Sequence, residues 1–464
     1  MLHTPLRMKN FPWQQNLNGM IEEFEYKGRW RVPDEEFWYN GALKFHPGEP
    51  IILEIFGTFN PGMFDTEKKG IILGETTKGD ITLVDSDYIT HSHSFVSDVT
   101  IGKYRPRFII AGHQFHSAES IQFSKTTFKT FNLFTWLDTA GLIRDERNLL
   151  PSEYTKPESL SFKCFEECSG AIDFHHTLNL IFRNNRTEVE EDCSVSLSYN
   201  KSRHFKNILM DIYIFNGFIT LMTFEQCYPL SISFTDPSYT EDNKAKIIQC
   251  FYQNPDYNKK YKARSKGEFL MSFQDISNEF SNLIRSWYKH YHEIKPVFSL
   301  MLYSFRDKQK FNDDKFMDIA RAVETFHRRT TTCTKLPANE FELMVSRILE
   351  KIDKNDKQWL VKNNSLKYSN ELGLKRRLLD LYKTYSSPYL LEQIPDPKRF
   401  FQKVVDCRNY YTHYSIENEK EALKGKNLFE LNQKLKALLI ICICKHIGIN
   451  NADILTDGLK RNLY

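Results

Sequence analysis

The chain has 464 residues, 41% hydrophobic and 26% charged, and a formal net charge of +4. That length builds two or three domains, and the balance is that of a soluble globular protein rather than a disordered one. The charge is too small to point to nucleic acid or away from it.

Nine cysteines, an odd number without a regular framework, suggest a reducing compartment, with the cytoplasm as the default location. Met1 to Gly19 holds no apolar run followed by a small-residue cleavage site, so no secretory signal is expected. Leu435 to Cys444 is interrupted by Lys436 and is too short to span a bilayer. It reads as a buried helix carrying Cys442 and Cys444, and no membrane partner is expected.

Residues 1–268 read as β-rich, with two possible subdomains, 1–150 and 151–268. Asn40 to Phe45 and Ile51 to Gly57 alternate as short strands. Ile71 to Gly74 and Ile81 to Val84 flank a hairpin-like connection, Glu75 to Asp80. Arg107 to Gly112 is another strand, and Phe123 to Leu137 alternates loosely. Ile172 to Phe182, Ser194 to Tyr199 and Ile212 to Phe224 are expected strands of a second section, with Asn184 to Asp192 as a charged, solvated loop. The spacing predicts a sandwich or barrel-like domain.

The basic stretch 254–267 holds little that can pack, and marks the domain boundary. Beyond it, 269–464 reads as an all-α bundle. Helices are expected over 275–293, 296–305, 313–329, 338–353, 371–386, 397–414 and 419–447. The fold class is therefore α+β.

The helix over 397–414 carries the most chemistry. Asp396 suits its N-cap and Pro397 its first turn, and Phe400, Phe401, Val404 and Val405 supply a buried stripe. At about 100° per residue, Arg408, Thr412, Asn409 and His413 share an arc of roughly 140°. A cation, an amide, a hydroxyl and an imidazole together suit the handling of a phosphodiester. The same residues also suit a solvated helix face whose final histidine is favoured by the helix dipole. The Arg-x4-His string alone decides nothing, since Arg285 and His290 repeat it.

Other candidates are weaker. Glu324 and Arg328 are spaced for a surface ion pair on one helix, with Arg329 following. Lys375-Arg376-Arg377 reads as a solvated edge. Cys164 and Cys168 with His175-His176 hold zinc-like ingredients at the wrong spacing, and His91 and His93 share a strand face. No metal and no cofactor is expected. A Walker loop, GxGxxG, GxSxG and HExxH are all missing from the sequence.

Arg408-Asn409-x3-His413 on the penultimate long helix resembles the motif of HEPN ribonucleases. Upstream, Gly74-Glu75-Thr76, Gly79 to Leu83, Gly112-His113-Gln114-Phe115 with Glu119 and Phe123, Asn132-Leu133 with Trp136-Leu137, and Phe269 to Phe273 with Phe280 and Arg285-Ser286-Trp287 are similar to ApeA-like anti-phage abortive-infection proteins. The resemblance covers most of the chain. It implies a β-rich sensing or regulatory domain followed by a metal-independent HEPN endoribonuclease that cuts host RNA by attack of the 2′-hydroxyl on the adjacent phosphate. A transfer RNA anticodon loop is the favoured substrate. His413 would move protons, as a histidine's ordinary pKa allows, Arg408 would fork phosphate oxygens, and Asn409 would orient the histidine or the RNA. Glu324 and Arg328 would support them, and Arg329 would meet RNA. Tyr411 and Tyr414 could stack on unpaired bases, but tyrosines on a bundle helix more often fill a core or an interface, which is the favoured reading. The implied partners are RNA, a second copy at a dimer cleft and a phage-derived trigger. A tyrosine that some HEPN toxins place two residues after the histidine is Ser415 here. Two other readings remain: a non-catalytic HEPN module that binds RNA or a nucleotide, and an interaction protein that binds a phage component.

Overall fold

The computed structural model describes residues 19–463, apart from 34, 61–65, 95, 97, 140, 144–152, 182–185, 258–263, 307–310, 364–365 and 367. The chain divides into two compact units, 1–288 and 289–464. The first is built on a large antiparallel sheet and the second is helical, which makes the fold α+β.

The first unit contains β1 (Phe24–Arg31), β2 (Tyr39–Phe45), β3 (Ile52–Phe56), β4 (Lys69–Thr76), β5 (Gly79–Ser94), β6 (Val99–Arg105), β7 (Phe108–Ala111) and β8 (Gln122–Thr130). It continues with β9 (Leu160–Phe165), β10 (Cys168–Ile181), β11 (Arg186–His204), β12 (Pro229–Thr235) and β13 (Ile248–Tyr252). All thirteen join one sheet in the order β9-β10-β11-β8-β12-β13-β7-β5-β4-β1-β2-β3-β6. The long β5 pairs through Ile81 to Val84 with β7 and through Asp87 to Ser94 with β6. The second pairing closes β1 to β6 into a barrel, so both barrel edges are satisfied. Trp30, Leu43, Phe45, Leu53, Ile55 and Leu83 fill it.

Gly74 lies opposite Trp30 in the β1–β4 register, and a Cβ there would stand 2.2 Å from the indole ring. A glycine at this position lets the largest side chain of the barrel lie across the neighbouring strand. The next motif segment folds onto the same place. Gly112 adopts φ +114° and donates its backbone N–H to Asp80 O, while Gln114 Nε2 donates to Gly74 O at 3.2 Å. Thr82 Oγ1 donates to His113 O and accepts from Phe115 N, both at 2.8 Å. Residues scattered over 74–115 thus form one hydrogen-bonded cluster beside β4, β5 and β7.

Two expectations change in this unit. Ile212 to Phe224 is not a strand but most of helix α1 (Phe205–Thr223), buried nearly all round. A continuous run of β-branched and aromatic residues fits a buried helix as well as a buried strand, and only length and partners separate them. Here the polar residues find helical partners: Thr220 Oγ1 donates to Asn216 O, and Asn216 Oδ1 accepts from Thr130. The charged segment Asn184 to Asp192 is not a loop from residue 186 onward, since Arg186 to Asp192 pairs with β10. Residues 184–185, like Phe182, lie outside the described residues.

Residues 269–288 pack with the sheet unit, although their composition resembles that of the helices beyond them. Leu270 N donates to Met222 O, Trp136 Nε1 to Met271 O, and Trp287 Nε1 to Ile214 O. Burying two indoles demands partners for their N–H groups, and backbone carbonyls supply them. Of the basic stretch 254–267, residues 258–263 lie outside the described residues.

The second unit holds helices α2 (Phe280–Arg306, counted here from Lys289), α3 (Asn312–Thr330), α4 (Ala338–Lys351), α5 (Lys354–Lys362), α6 (Leu374–Thr384), α7 (Pro388–Gln393), α8 (Pro397–His413), α9 (Gly425–His446) and α10 (Ala452–Leu463). The helices expected at 275–293 and 296–305 are one, with Pro296 inside it. Proline has no N–H for the carbonyl four residues back. That carbonyl belongs to His292, and Arg329 Nη2 donates to it at 3.2 Å, with Arg329 Nε on Glu293 O. A side chain from α3 thus repairs the gap. Helices α5, α7 and α10 add to the expected set; α5 and α7 are short. The Leu435 to Cys444 run is buried, with Cys442 and Cys444 fully covered. No helix among the described residues is long and apolar enough to cross a membrane.

Candidate active site

The site begins with how α8 starts and stops. Asp396 accepts from Arg399 N at 3.1 Å and Pro397 follows it, as the cap expectation has it. Phe401, Val404 and Cys407 are the residues that bury, one helical repeat apart. Arg408 sits beside that seam with its side chain 39% exposed, and Thr412 and His413 face outward. Tyr414 ends the helix in the left-handed region, at φ 49°. A tyrosine rarely adopts that backbone. It is held there by ring contacts with Tyr410 and Tyr411 and by its hydroxyl on Asp313 Oδ2 at 3.4 Å.

Among the described residues the Arg408 guanidinium has two polar neighbours. Its Nη1 donates to Asn409 Oδ1 at 3.3 Å, and its Nη2 lies 3.9 Å from Glu324 Oε2 on α3. Thr412 Oγ1 turns back to Arg408 O at 2.6 Å. Asn409 therefore engages the arginine with its oxygen, rather than the histidine ring. His413 is exposed in the last turn and has no side-chain partner among the described residues. The geometry leaves one cation positioned but not neutralised at close range, and one imidazole open to a ligand.

Glu324 also accepts from Arg328 Nε and Nη2, at 3.2 and 3.1 Å. Arg328 Nη1 donates in turn to Glu371. Glu371 accepts from Arg377 Nη2 at 3.3 Å, and Arg377 Nη1 lies 3.1 Å from His327 Nδ1. His327 Nε2 reaches Asp380 Oδ2 at 2.9 Å. Charges thus alternate from Arg408 through α3 and α6 to Asp380. Arg377 is 4% exposed and His327 fully buried. Burial pushes the His327 pKa down, against the pull of Asp380, and with Arg377 adding to the depression. A neutral ring that donates to Asp380 and accepts from Arg377 satisfies both contacts.

This corrects one expectation: Arg377 is not part of a solvated edge. Its register shows why, because Arg377, Leu378, Leu381 and Tyr382 are the buried face of α6. The 3.6-residue period contains that signal, and the adjacent Lys375 and Arg376 obscure it. Glu371, His327 and Asp380 belong to the same array and lack any motif that would single them out. Arg328 is tied to two carboxylates and Arg329 to the α2 carbonyls, so part of each guanidinium is already committed, while both residues stay exposed. Tyr411 is half-buried and donates to Leu423 O at 2.8 Å; burial, then Cys407 and Asp313, push its pKa up to about 12. Tyr414 is 60% exposed and offers a ring face.

The cysteine and histidine candidates of the first unit do not assemble. Cys168 and His175 stand seven residues apart on β10, roughly 23 Å at the usual strand rise. His175 Nε2 is engaged by Ser194 Oγ at 2.7 Å. His91 and His93 bond instead to Tyr88 and Thr100.

Residues 25–287 match the family described as ApeA N-terminal domain 1, over more than half of the chain. The chain belongs to the ApeA family. Residues 317–453 match the Apea-like HEPN family, and these contain most of α3, all of α6 and α8, and the whole charged array. The pairing is that of a HEPN-containing defence effector, and the HEPN domain suggests a nuclease. No curated protein matches the chain, and no solved structure does.

Proposed function

We propose that this ApeA-family protein is a metal-independent endoribonuclease that cleaves host RNA during phage infection in the cytoplasm, with a tRNA anticodon loop as the favoured substrate. The observation that carries the reading is the contrast within α8: Arg408 is held by Asn409 and Glu324 while His413, five residues on, stays exposed without a side-chain partner among the described residues. Arg408 can fork two oxygens of the scissile phosphate. His413 accepts the proton of the 2′-hydroxyl as that oxygen attacks phosphorus. The bond to the 5′ oxygen breaks, and a second acid protonates the leaving group. The same histidine of a second copy can supply that acid if two α8 helices face one another. Helices α4 and α5 have no buried side chain and expose Leu343, Trp359 and Val361, which supports an oligomer that covers them. Unpaired loops permit the in-line approach that a duplex forbids, which favours the anticodon loop. The sheet domain would sense the phage trigger and release the activity.

The test is purified protein with total cellular RNA in EDTA, comparing wild type, Arg408→Ala and His413→Ala. Discrete fragments with 2′,3′-cyclic phosphate ends from wild type alone are expected. Absence of cleavage even with infected-cell extract would replace the nuclease by an RNA-binding module, and cleavage by both variants would move the active site elsewhere.

A further inference from the structure

Three potential metal ligands meet away from the Arg408 array. His290 and Glu293 lie one turn apart on α2, and His446 closes the last turn of α9. Their donor atoms all lie within 4.8 Å of one another. His290 Nδ1 is 3.2 Å from Glu293 Oε2, and His446 Nε2 is 3.1 Å from the same oxygen. Tetrahedral zinc with bonds of about 2.0–2.1 Å places its ligand atoms roughly 3.3 Å apart, so these spacings are close to those of a bound site. The two imidazoles meet edge to face, with centroids 4.5 Å apart, and Phe326 packs on His446 from α3. The carboxylate is negative and acts on its surroundings: Tyr385 is pushed up to about 12 by burial first, and then by Cys442 and Glu293.

The donor set favours a first-row transition metal over calcium or magnesium, and zinc is the one taken here. Two imidazoles and one carboxylate suit zinc, whereas calcium and magnesium call for oxygen cages. A histidine and a carboxylate three residues apart on a bundle helix are a common way to aim two ligands at one ion. Side-chain exposures of 26%, 35% and 16% leave a fourth position within reach of water. Competing cations are committed elsewhere: Arg329 to the His292 and Glu293 backbone carbonyls, and Lys445 to Ser386 O at 2.6 Å.

We propose that His290 Nδ1, Glu293 Oε2 and His446 Nε2 bind one zinc ion, with water as the fourth ligand, clamping α2 to α9. The site shares no residue with the charged array, and it goes beyond the nuclease reading without depending on it. Its role is to hold the bundle together, so EDTA leaves the proposed cleavage chemistry in place. Without metal, the three groups form a hydrogen-bonded chain through Glu293.

The experiment uses the full chain carrying Cys333→Ser, because Cys333 is an exposed thiol that can bind zinc itself. The EDTA-stripped protein is dialysed against zinc chloride alone, and bound zinc is measured against free zinc. One tight zinc per chain is expected. His446→Gln should weaken it by more than about 100-fold, beyond the range set by outer-sphere partners. His91→Gln, in the sheet unit, should change nothing. Tm in EDTA checks that the variants fold, and zinc should raise Tm in the parent protein but not in His446→Gln. If His446→Gln fails to fold, His290→Gln carries the same measurement. No stoichiometric zinc in the parent protein, or undiminished binding in the folded variants, overturns the proposal.

Discussion

Two arginine–histidine pairs in the helical unit use the same chemistry under opposite conditions. Arg377 and His327 are buried and satisfied on every side by Glu371, Leu372 O and Asp380. Arg408 and His413 stand at the surface of α8, one loosely held and the other open. Buried charge without partners is costly, so the inner pair must be fully matched and has nothing left to offer a substrate. The outer pair keeps its hydrogen-bonding capacity because water satisfies it. Glu324 and Arg328 join the two, so the inner pair fixes the carboxylate that steadies the outer arginine.

The sharpest way to break this contrast is to exchange the consequences. Arg377→Ala should destabilise the helical unit by about 3–5 kcal/mol, since Glu371 and His327 lose a buried partner. Urea unfolding reads this, and a loss below about 1 kcal/mol would show that the pair is not structural. Next, His413→Ala should reduce RNA cleavage by about 10²–10⁴-fold while stability stays within about 0.5 kcal/mol. Arg408→Ala should behave alike, since a half-exposed ion pair contributes at most about 1 kcal/mol. If either variant unfolds the protein, the outer pair is structural too.

A smaller effect is expected at the repaired helix. Arg329→Ala uncovers the carbonyls at His292 and Glu293 and should cost about 1–3 kcal/mol, with no loss of RNA affinity. A drop in affinity at full stability would return Arg329 to the RNA surface. The smallest effect is in pH. The folded-state pKa of His327 is lowered, so the unfolded chain binds its proton first as pH falls. The stability it contributes is present above about pH 6.5 and is lost below it, at up to ~1.4 kcal/mol per pH unit. His327→Gln should flatten the slope of stability between pH 7 and 5; an unchanged slope would mean that His327 is not the titrating group.

What the chain reveals unaided and what folding decides divide along a physical line. The β-rich and helical halves, the cap at Asp396 and Pro397, and the buried run at Leu435 to Cys444 follow from local preference and hydrophobic period, which act over a few residues. The motif residues Gly74, Gly112 and Gln114 are visible as a pattern, yet only the register of β1 against β4 shows that Gly74 makes room for Trp30. Helix α1 reads as a strand because a uniformly apolar run carries no period to separate helix from strand. Pro296 reads as a break because its compensation comes from Arg329, more than thirty residues away. The inner face of α6 has a readable period, but adjacent lysine and arginine make Arg377 look solvated. Which carboxylate meets which arginine, and whether His290, Glu293 and His446 meet at all, depends on contacts between helices distant in sequence. Electrostatics between such residues is set by distance and burial, and neither exists until the helices pack.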